Sequence, residues 1–244
     1  MRISIVIIVK DAQDSIEKCL QSVTAFDEVI VYLNDCSDNT RVIASTFDNT
    51  TIIDGYFDGF GSTKNRASSF AHNDWVLTLD SDEVISNELL EELKLIKLSI
   101  NNIYNFHRLN HYKNKALNCC GWDNDFVLRL YNKTTTEYLD KKVHESLNPK
   151  DLEIYTFKNS IYHYPFKSIT QLIKKADYYS ELFAQNSTKE SSIFKVIIHS
   201  KFMFFKSYIL KRGFLYGYEG FLISFFNAFG SALKYLKLMD KHEM

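Results

Sequence analysis

The chain has little proline and little glycine, two and eight among its 244 residues. That scarcity excludes a Pro/Gly-rich linker, and neither an internal repeat nor a low-complexity tract takes its place. Cysteine is scarce as well. Cys19, Cys36, Cys119 and Cys120 contain no C-x-x-C pair, and a disulfide between the adjacent Cys119 and Cys120 would need unusual backbone strain. A reducing cytosol is the simpler expectation. Charge of one sign is lacking too: 29 Lys/Arg against 30 Asp/Glu leave a net charge of −1, which gives no global case for nucleic acid as partner. Long apolar runs are also missing. The longest uncharged stretch, between Glu219 and Lys234, is too short to cross a bilayer core of ~30 Å as a helix. The N-terminus turns polar at Lys10 and Asp11 and reads as a buried strand, not as a signal peptide. No transmembrane segment is expected.

What is present fits an ordinary globular protein, 45% hydrophobic and 24% charged. Ile3–Val9 is a β-branched run, as expected of a central strand buried on both faces. Ile16, Cys19, Leu20 and Val23 then fall at helical spacing. Val29–Leu33 and Thr51–Ile53 read as further strands. The Gly-rich stretch Gly55–Gly61 leads into a helix near Thr63–Ala71, and Trp75–Leu79 is a fourth strand. Strands alternating with helices predict a mostly parallel sheet, whose ligands bind at the carboxyl ends of the strands. The loops after Val9, Leu33, Ile53 and Leu79 then share one rim, which places Asp11, Asn34, Asp35, Lys64 and Asp80–Glu83 around one crevice.

After a helix over Asn87–Leu98 the pattern changes, with Tyr104–Tyr112, Phe126–Tyr131 and Ile154–Tyr164 as strands of a mixed sheet. Ser168 and Gln171 form a capping box that opens a helix towards Asn186. From Ser191 onward the chain reads as helical and aromatic, interrupted around Gly213–Gly220. The expected division is a catalytic domain over 1–166 and a helical extension over 167–244.

The chemistry centres on Asp80-Ser81-Asp82 at the end of an apolar strand. Two carboxylates on a tight turn suit Mg2+ or Mn2+, hard cations that share oxygen ligands with phosphates. Such an ion would neutralise a diphosphate leaving group; the bland alternative is a solvated turn that caps the next helix. Leu79–Val84 also matches the apolar-D-x-D-x-V signature of haloacid-dehalogenase-like phosphotransferases. There, however, the motif follows the first strand, and here three candidate strands precede it.

Several fragments, in order, carry a resemblance. They are Ile5–Asp11, Gly59–Asn65, Asp74–Glu83, Gly121-Trp122, Arg129-Leu130, Val143-His144-Glu145 and Arg212–Leu215. With them the chain resembles the family 2 glycosyltransferases of GT-A fold, nearest to the group that adds β-glucose to the inner-core heptose of lipopolysaccharide. The resemblance implies an α/β, Rossmann-like domain that uses a nucleotide sugar, UDP-glucose in that group, and an acceptor such as a lipid-linked core oligosaccharide. Related acceptors would be a polyprenyl phosphate or a capsular glycan. By the same likeness Asp80 faces the ribose or the metal, and Asp82 coordinates the metal. Lys64 lies near the nucleotide phosphates with Asn65 shaping its loop, and His144 supplies a third metal ligand. The general base for inverting transfer is Asp125, with Asp123 and Glu145 as alternatives. The family's base-contacting Asp at the end of the second strand is Leu33 here, so Asn34 or Asp35 would take over. That departure also leaves open a non-catalytic nucleotide-binding scaffold.

Between Ile193 and Leu238 stand Lys195, Lys201, Lys206, Lys211, Arg212, Lys234 and Lys237 against the single acid Glu219. Basic residues beside Phe202, Phe204, Phe205, Phe221, Phe225 and Phe226 are what an in-plane helix on an anionic inner-membrane surface requires. The alternative is a helix pair packed on the catalytic domain.

Overall fold

A computed structural model describes residues 2–139, 146–149 and 151–243. The chain divides into two compact units: residues 1–108 with 125–163, and residues 109–124 with 164–244. Segment 109–124, which the sequence division leaves with the first domain, therefore packs with the C-terminal helices.

In the first unit the strands β1 (Ser4–Val9), β2 (Glu28–Asn34), β3 (Thr50–Gly55) and β4 (Trp75–Leu79) are mutually parallel in the order β3-β2-β1-β4. Three short helices lie between them: α1 (Ile16–Gln21), α2 (Thr40–Ala44) and α3 (Phe60–Ser69). Side chains alternate between the two faces of a strand, and both faces are covered here. Ile5, Ile7 and Val9 of β1 join Val29, Val31 and Leu33 of β2 in one core with Ile16, Cys19 and Leu20 of α1. Val6, Ile30 and Tyr32 enter a second core with Ala67 of α3. A nearly continuous apolar run is thus what a doubly covered strand needs.

The sheet continues with β5 (Glu83–Ile85), β6 (Asn102–Tyr112), β7 (Lys115–Ala116), β8 (Phe126–Asn132), β9 (Glu153–Thr156) and β10 (Ile161–Phe166), and α4 (Asn87–Leu95) follows β5. β8 runs antiparallel to both β4 and β6, and β10 runs antiparallel to β5. The mixed α/β sheet implied by the sequence is present. Two details differ. The acidic cluster is not all loop, because Glu83 opens β5. The run expected as one strand over Ile154–Tyr164 is two strands, β9 and β10. The break has a tertiary cause: the Glu92 carboxylate on α4 accepts the backbone N–H groups of Lys158 and Asn159 at 3.1 Å each, taking them from any sheet partner.

In the second unit, α5 (Ile169–Gln185), α6 (Ile193–Phe205) and α7 (Gly217–Glu243) pack together. Ser168 caps α5 by accepting the Gln171 N–H at 3.3 Å, and Gln171 reaches back to the Lys167 N–H at 2.6 Å. The interruption after α6 is a π-turn over Lys206–Leu210 followed by a 3-10 turn over Gly213–Tyr216. Two glycines make it possible. A Cβ on Gly220 would lie 1.9 Å from the Gly213 carbonyl oxygen, and one on Gly213 would lie 2.9 Å from Cys120 Sγ. All four cysteines are free. Among the described residues no helix is long and apolar enough to cross a membrane.

Candidate active site

Because β1, β2, β3 and β4 are parallel, their carboxyl ends lie along one edge of the sheet, and the loops after them meet there. After β1 the backbone turns left-handed at Asp11 (φ 47°), whose Oδ1 accepts the Ser37 N–H at 2.7 Å and the Ser37 hydroxyl at 3.1 Å. Asp11 thereby braces the loop that follows β2. In that loop Asp35 is exposed, with φ 48°. Asn34 is buried at the end of β2, and its Oδ1 has no hydrogen-bond partner among the described residues. A buried acceptor of this kind costs free energy until a donor reaches it. Leu33, the position at which the resemblance leads one to expect an acid, is core.

Helix α3 brings Lys64 and Asn65 to the rim, and the two side chains do different things. Asn65 exchanges two hydrogen bonds of 2.8 Å with the backbone of Tyr138. Gly61, one turn earlier, has no room for a side chain, since its Cβ would meet the Leu139 carbonyl oxygen at 2.4 Å. Between these anchors Lys64 turns inward. It is 1% exposed, its Nζ lies 5.4 Å from the centre of the Tyr138 ring, and it pairs with Asp80 Oδ1 at 3.1 Å. Lys64 thus holds the D-x-D turn from beneath.

That turn sits in a chain of alternating charges. Asp80 Oδ2 accepts from Arg129 on β8. Arg129 also donates to Glu83 Oε1 at 2.8 Å, while Glu83 Oε2 accepts the Asp80 N–H at 3.0 Å. Glu83 is fully buried and receives a second guanidinium, Arg108, at 3.3 Å. Arg108 in turn grips Asp125, its Nε 3.1 Å from Oδ2 and its Nη2 2.9 Å from Oδ1. The sheet brings this last pair together: β6 and β8 pair through His107 and Phe126, and the ladder runs one step further with the Arg108 N–H donating to the Asp125 carbonyl at 2.7 Å. Burial opposes ionisation of Asp80, but Arg129 and Lys64 overcome it and hold the carboxyl far below the usual carboxylate range. Lys64, Arg129 and Arg108 therefore balance Asp80, Glu83 and Asp125, and the turn reaches the base candidate through continuous ion pairs. Buried ions need such partners, and removing one partner strands the rest.

Asp82 lies outside this chain. Its Oδ2 is 3.5 Å from Nε2 of His163 on β10, a proximity set by the β5–β10 register, which puts His163 opposite Glu83. A carboxylate and an imidazole can both ligate Mn2+ or Mg2+, with phosphate oxygens and water completing the shell. Among the described residues no group of three or more His, Cys, Asp or Glu side chains is arranged to hold an ion by itself. The negative charge left on the turn for an ion is that of Asp82, because both Asp80 oxygens already face cations.

Of the other candidates, His144 and Glu145 lie outside the described residues. Asp123 belongs to the second unit, where its Oδ1 is buried with no hydrogen-bond partner among the described residues. Sequence reasoning missed Arg108 and His163. Nothing local marks either: Arg108 is one cation on a long strand, and His163 stands in a Tyr-His-Tyr run that reads as strand filler.

The comparisons with known proteins bear on the family and the fold. The model of Glycosyl transferase family 2 matches residues 4–96, which contain the parallel strands and the D-x-D turn. An uncharacterised glycosyltransferase of Rickettsia typhi is 32% identical, over 98% of this chain and 87% of its own length. Another from Rickettsia prowazekii is also 32% identical, again over 98% of this chain and 87% of its own. Among solved structures, S. aureus TarS in complex with UDP-GlcNAc is similar with a TM-score of 0.50 at 12% identity, covering 100% of this chain and 92% of that one. That likeness speaks for a shared GT-A-like fold, and the Rickettsia relatives match nearly end to end. The chain belongs to glycosyl transferase family 2.

Proposed function

We propose that this protein is an inverting hexosyltransferase that moves glucose from UDP-glucose to a hydroxyl of a lipopolysaccharide-core or related cell-envelope glycan. It works on a lipid-linked acceptor as a peripheral protein at the cytoplasmic face of the inner membrane. The observation that supports this reading best is the charge chain from Lys64 and Asp80 through Arg129, Glu83 and Arg108 to Asp125. It joins a nucleotide-binding turn to a carboxylate held in fixed orientation, the two parts that inverting transfer needs.

In the reaction the acceptor hydroxyl attacks the anomeric carbon from the face opposite the diphosphate. Asp125 takes the hydroxyl proton as the new C–O bond forms, and the bond from that carbon to the diphosphate oxygen breaks. Arg108 keeps the Asp125 carboxylate from rotating, so its oxygens meet the hydroxyl without reorganisation. Asn34 Oδ1, buried and with no donor among the described residues, receives an N–H of the nucleotide base. Uracil carries one, and TarS, of similar fold, is a binder of UDP-GlcNAc. Asp82 and His163 would hold a divalent cation, which when bound neutralises charge on the departing diphosphate.

The test is a panel of nucleotide sugars read by ligand-induced shift of the melting temperature, followed by nucleotide release on adding delipidated core oligosaccharide. UDP-glucose is expected to raise Tm, since ligand at about 100 times its Kd stabilises by about 2.7 kcal/mol. A protein that responds to no nucleotide sugar and releases no nucleotide is not a transferase of this kind.

A further inference from the structure

The second unit contains a cavity of about 650 Å3, walled by α5, α6, α7 and residues 120–122. Its volume is that of a small-molecule site. Its lining has one sign of charge: Lys175, Lys206, Lys211 and Lys234 with His199, and no Asp or Glu. The rest is largely aromatic, including Trp122, Phe202 and Phe226.

Three of these lysines are placed by local structure. An α-helix would set Lys206 and Lys211 on different faces. The π-turn instead stacks them one turn apart, the Lys211 N–H donating to the Lys206 carbonyl at 2.8 Å. Such insertions are frequent at functional sites. Along α7 the lysines divide. Lys237 is satisfied by Asp177 at 2.7 Å and Glu181 at 3.1 Å on α5, and Lys241 donates to the carbonyls of Ala184, Gln185 and Ser187. Lys234, one turn before Lys237, faces the cavity and lies 5.3 Å from the Phe183 ring centre. Among the described residues no carboxylate pairs with Lys206, Lys211 or Lys234. Like charges gathered on apolar walls repel one another until an anion joins them.

Beside the cavity, α6 has no buried residue at all, although it carries Ile193, Phe194, Ile197 and Ile198. Phe194 is 71% exposed. The helix packs on α7, but among the described residues nothing covers its outward apolar side, and such a side suits a nonaqueous surface. We infer that the cavity is a binding site for the net-anionic phosphate headgroup of a lipid, with the phosphate among the lysines and the first part of the hydrocarbon against Trp122, Phe202 and Phe226. This rests on the reading that the acceptor is lipid-linked and says which part of the chain holds the lipid end. A free phosphate satisfies the lysines but leaves the aromatic wall unused.

Isothermal titration of the full chain with water-soluble dihexanoyl phosphatidate, dihexanoyl phosphatidylcholine and inorganic phosphate tests it. The phosphatidate is expected to bind about tenfold or more tightly than either of the others. Lys206→Gln combined with Lys234→Gln should weaken the phosphatidate about tenfold or more, at an unchanged melting temperature. Lys237→Gln, whose lysine is satisfied outside the cavity, should leave its affinity as in the parent. Equal binding of phosphatidylcholine, binding of inorganic phosphate as tight as the phosphatidate, or full affinity in the double variant each overturns the site. The same samples are melted with UDP-glucose. A protein that binds the phosphatidate and ignores nucleotide sugars keeps this site and loses the transferase reading. One that responds to UDP-glucose but binds no phosphatidate does the reverse.

Discussion

Arg108 holds Asp125 with two parallel hydrogen bonds, of 3.1 and 2.9 Å, while its third nitrogen reaches the buried Glu83 at 3.3 Å. Guanidinium is suited to this grip because its donors lie in one plane and match the two oxygens of a carboxylate. The orientation of the proposed base is therefore tied, through Glu83 and Arg129, to the turn that carries Asp80.

Asp125→Asn is expected to lower turnover by roughly 10²–10⁴-fold with donor affinity nearly unchanged, as for loss of a positioned proton acceptor. Arg108→Lys keeps the charge but not the fork, and should cost about tenfold or more in kcat. Initial rates of nucleotide release measure both. If Asp125→Asn works normally while Asp123→Asn or Glu145→Gln does not, the base has been misplaced.

Asp82 and His163 lie 3.5 Å apart at the end of the D-x-D turn. Chelation with EDTA should abolish turnover, and Mn2+ should restore it. Asp82→Asn and His163→Gln are each expected to weaken Mn2+ binding by about tenfold or more, followed by the electron paramagnetic resonance signal of free Mn2+. Full activity in excess EDTA would remove the ion from the mechanism.

Asp80 has its carboxyl pKa depressed below the ordinary value of about 3.9 by Arg129 and Lys64, against the effect of burial. A carboxylate with a lowered folded-state pKa stabilises the fold above the unfolded value, and the contribution fades as pH falls below it towards the folded value. Asp80→Asn should thus be less stable than the parent at neutral pH, with the gap narrowing below about pH 4. Urea unfolding at pH 7 and at stepped acid pH reads this directly. A gap that stays constant with pH would mean the ion pairs contribute nothing to stability.

Gly220 and Gly230 lie on the same helix and should respond oppositely to alanine. A Cβ on Gly220 would meet the Gly213 carbonyl oxygen at 1.9 Å, whereas one on Gly230 would touch Ala176 Cβ at an ordinary 3.7 Å. Gly220→Ala is expected to destabilise by about 1–3 kcal/mol through overpacking. Gly230→Ala should stabilise by roughly 0.5–1 kcal/mol, because alanine loses less backbone entropy in a helix. Thermal melts of the two variants side by side decide it.

The sequence alone was enough for the parallel half of the sheet, because strands covered on both faces are apolar along most of their length, as Val29–Leu33 is and as Ile3–Val9 is but for Ser4. It was enough for the D-x-D turn as well, since two acids at the end of an apolar strand are a local signal. The cap at Ser168 was readable for the same reason. Only the tertiary structure decided what the rim residues do. Lys64, at a helix start, could face solvent as readily as the interior; the close approach of Tyr138 and Leu139 to α3 sends it inward to Asp80. Arg108 and His163 carry no signature of their own, and their roles come from strand register, which places them beside Asp125 and Asp82. The cations of the C-terminal helices count alike in composition. Packing divides them, because Lys237 and Lys241 find partners on and just beyond α5 while Lys206, Lys211 and Lys234 are left facing one cavity. Such pairings join residues far apart in the chain, and their free energy depends on distances that only the packed fold sets.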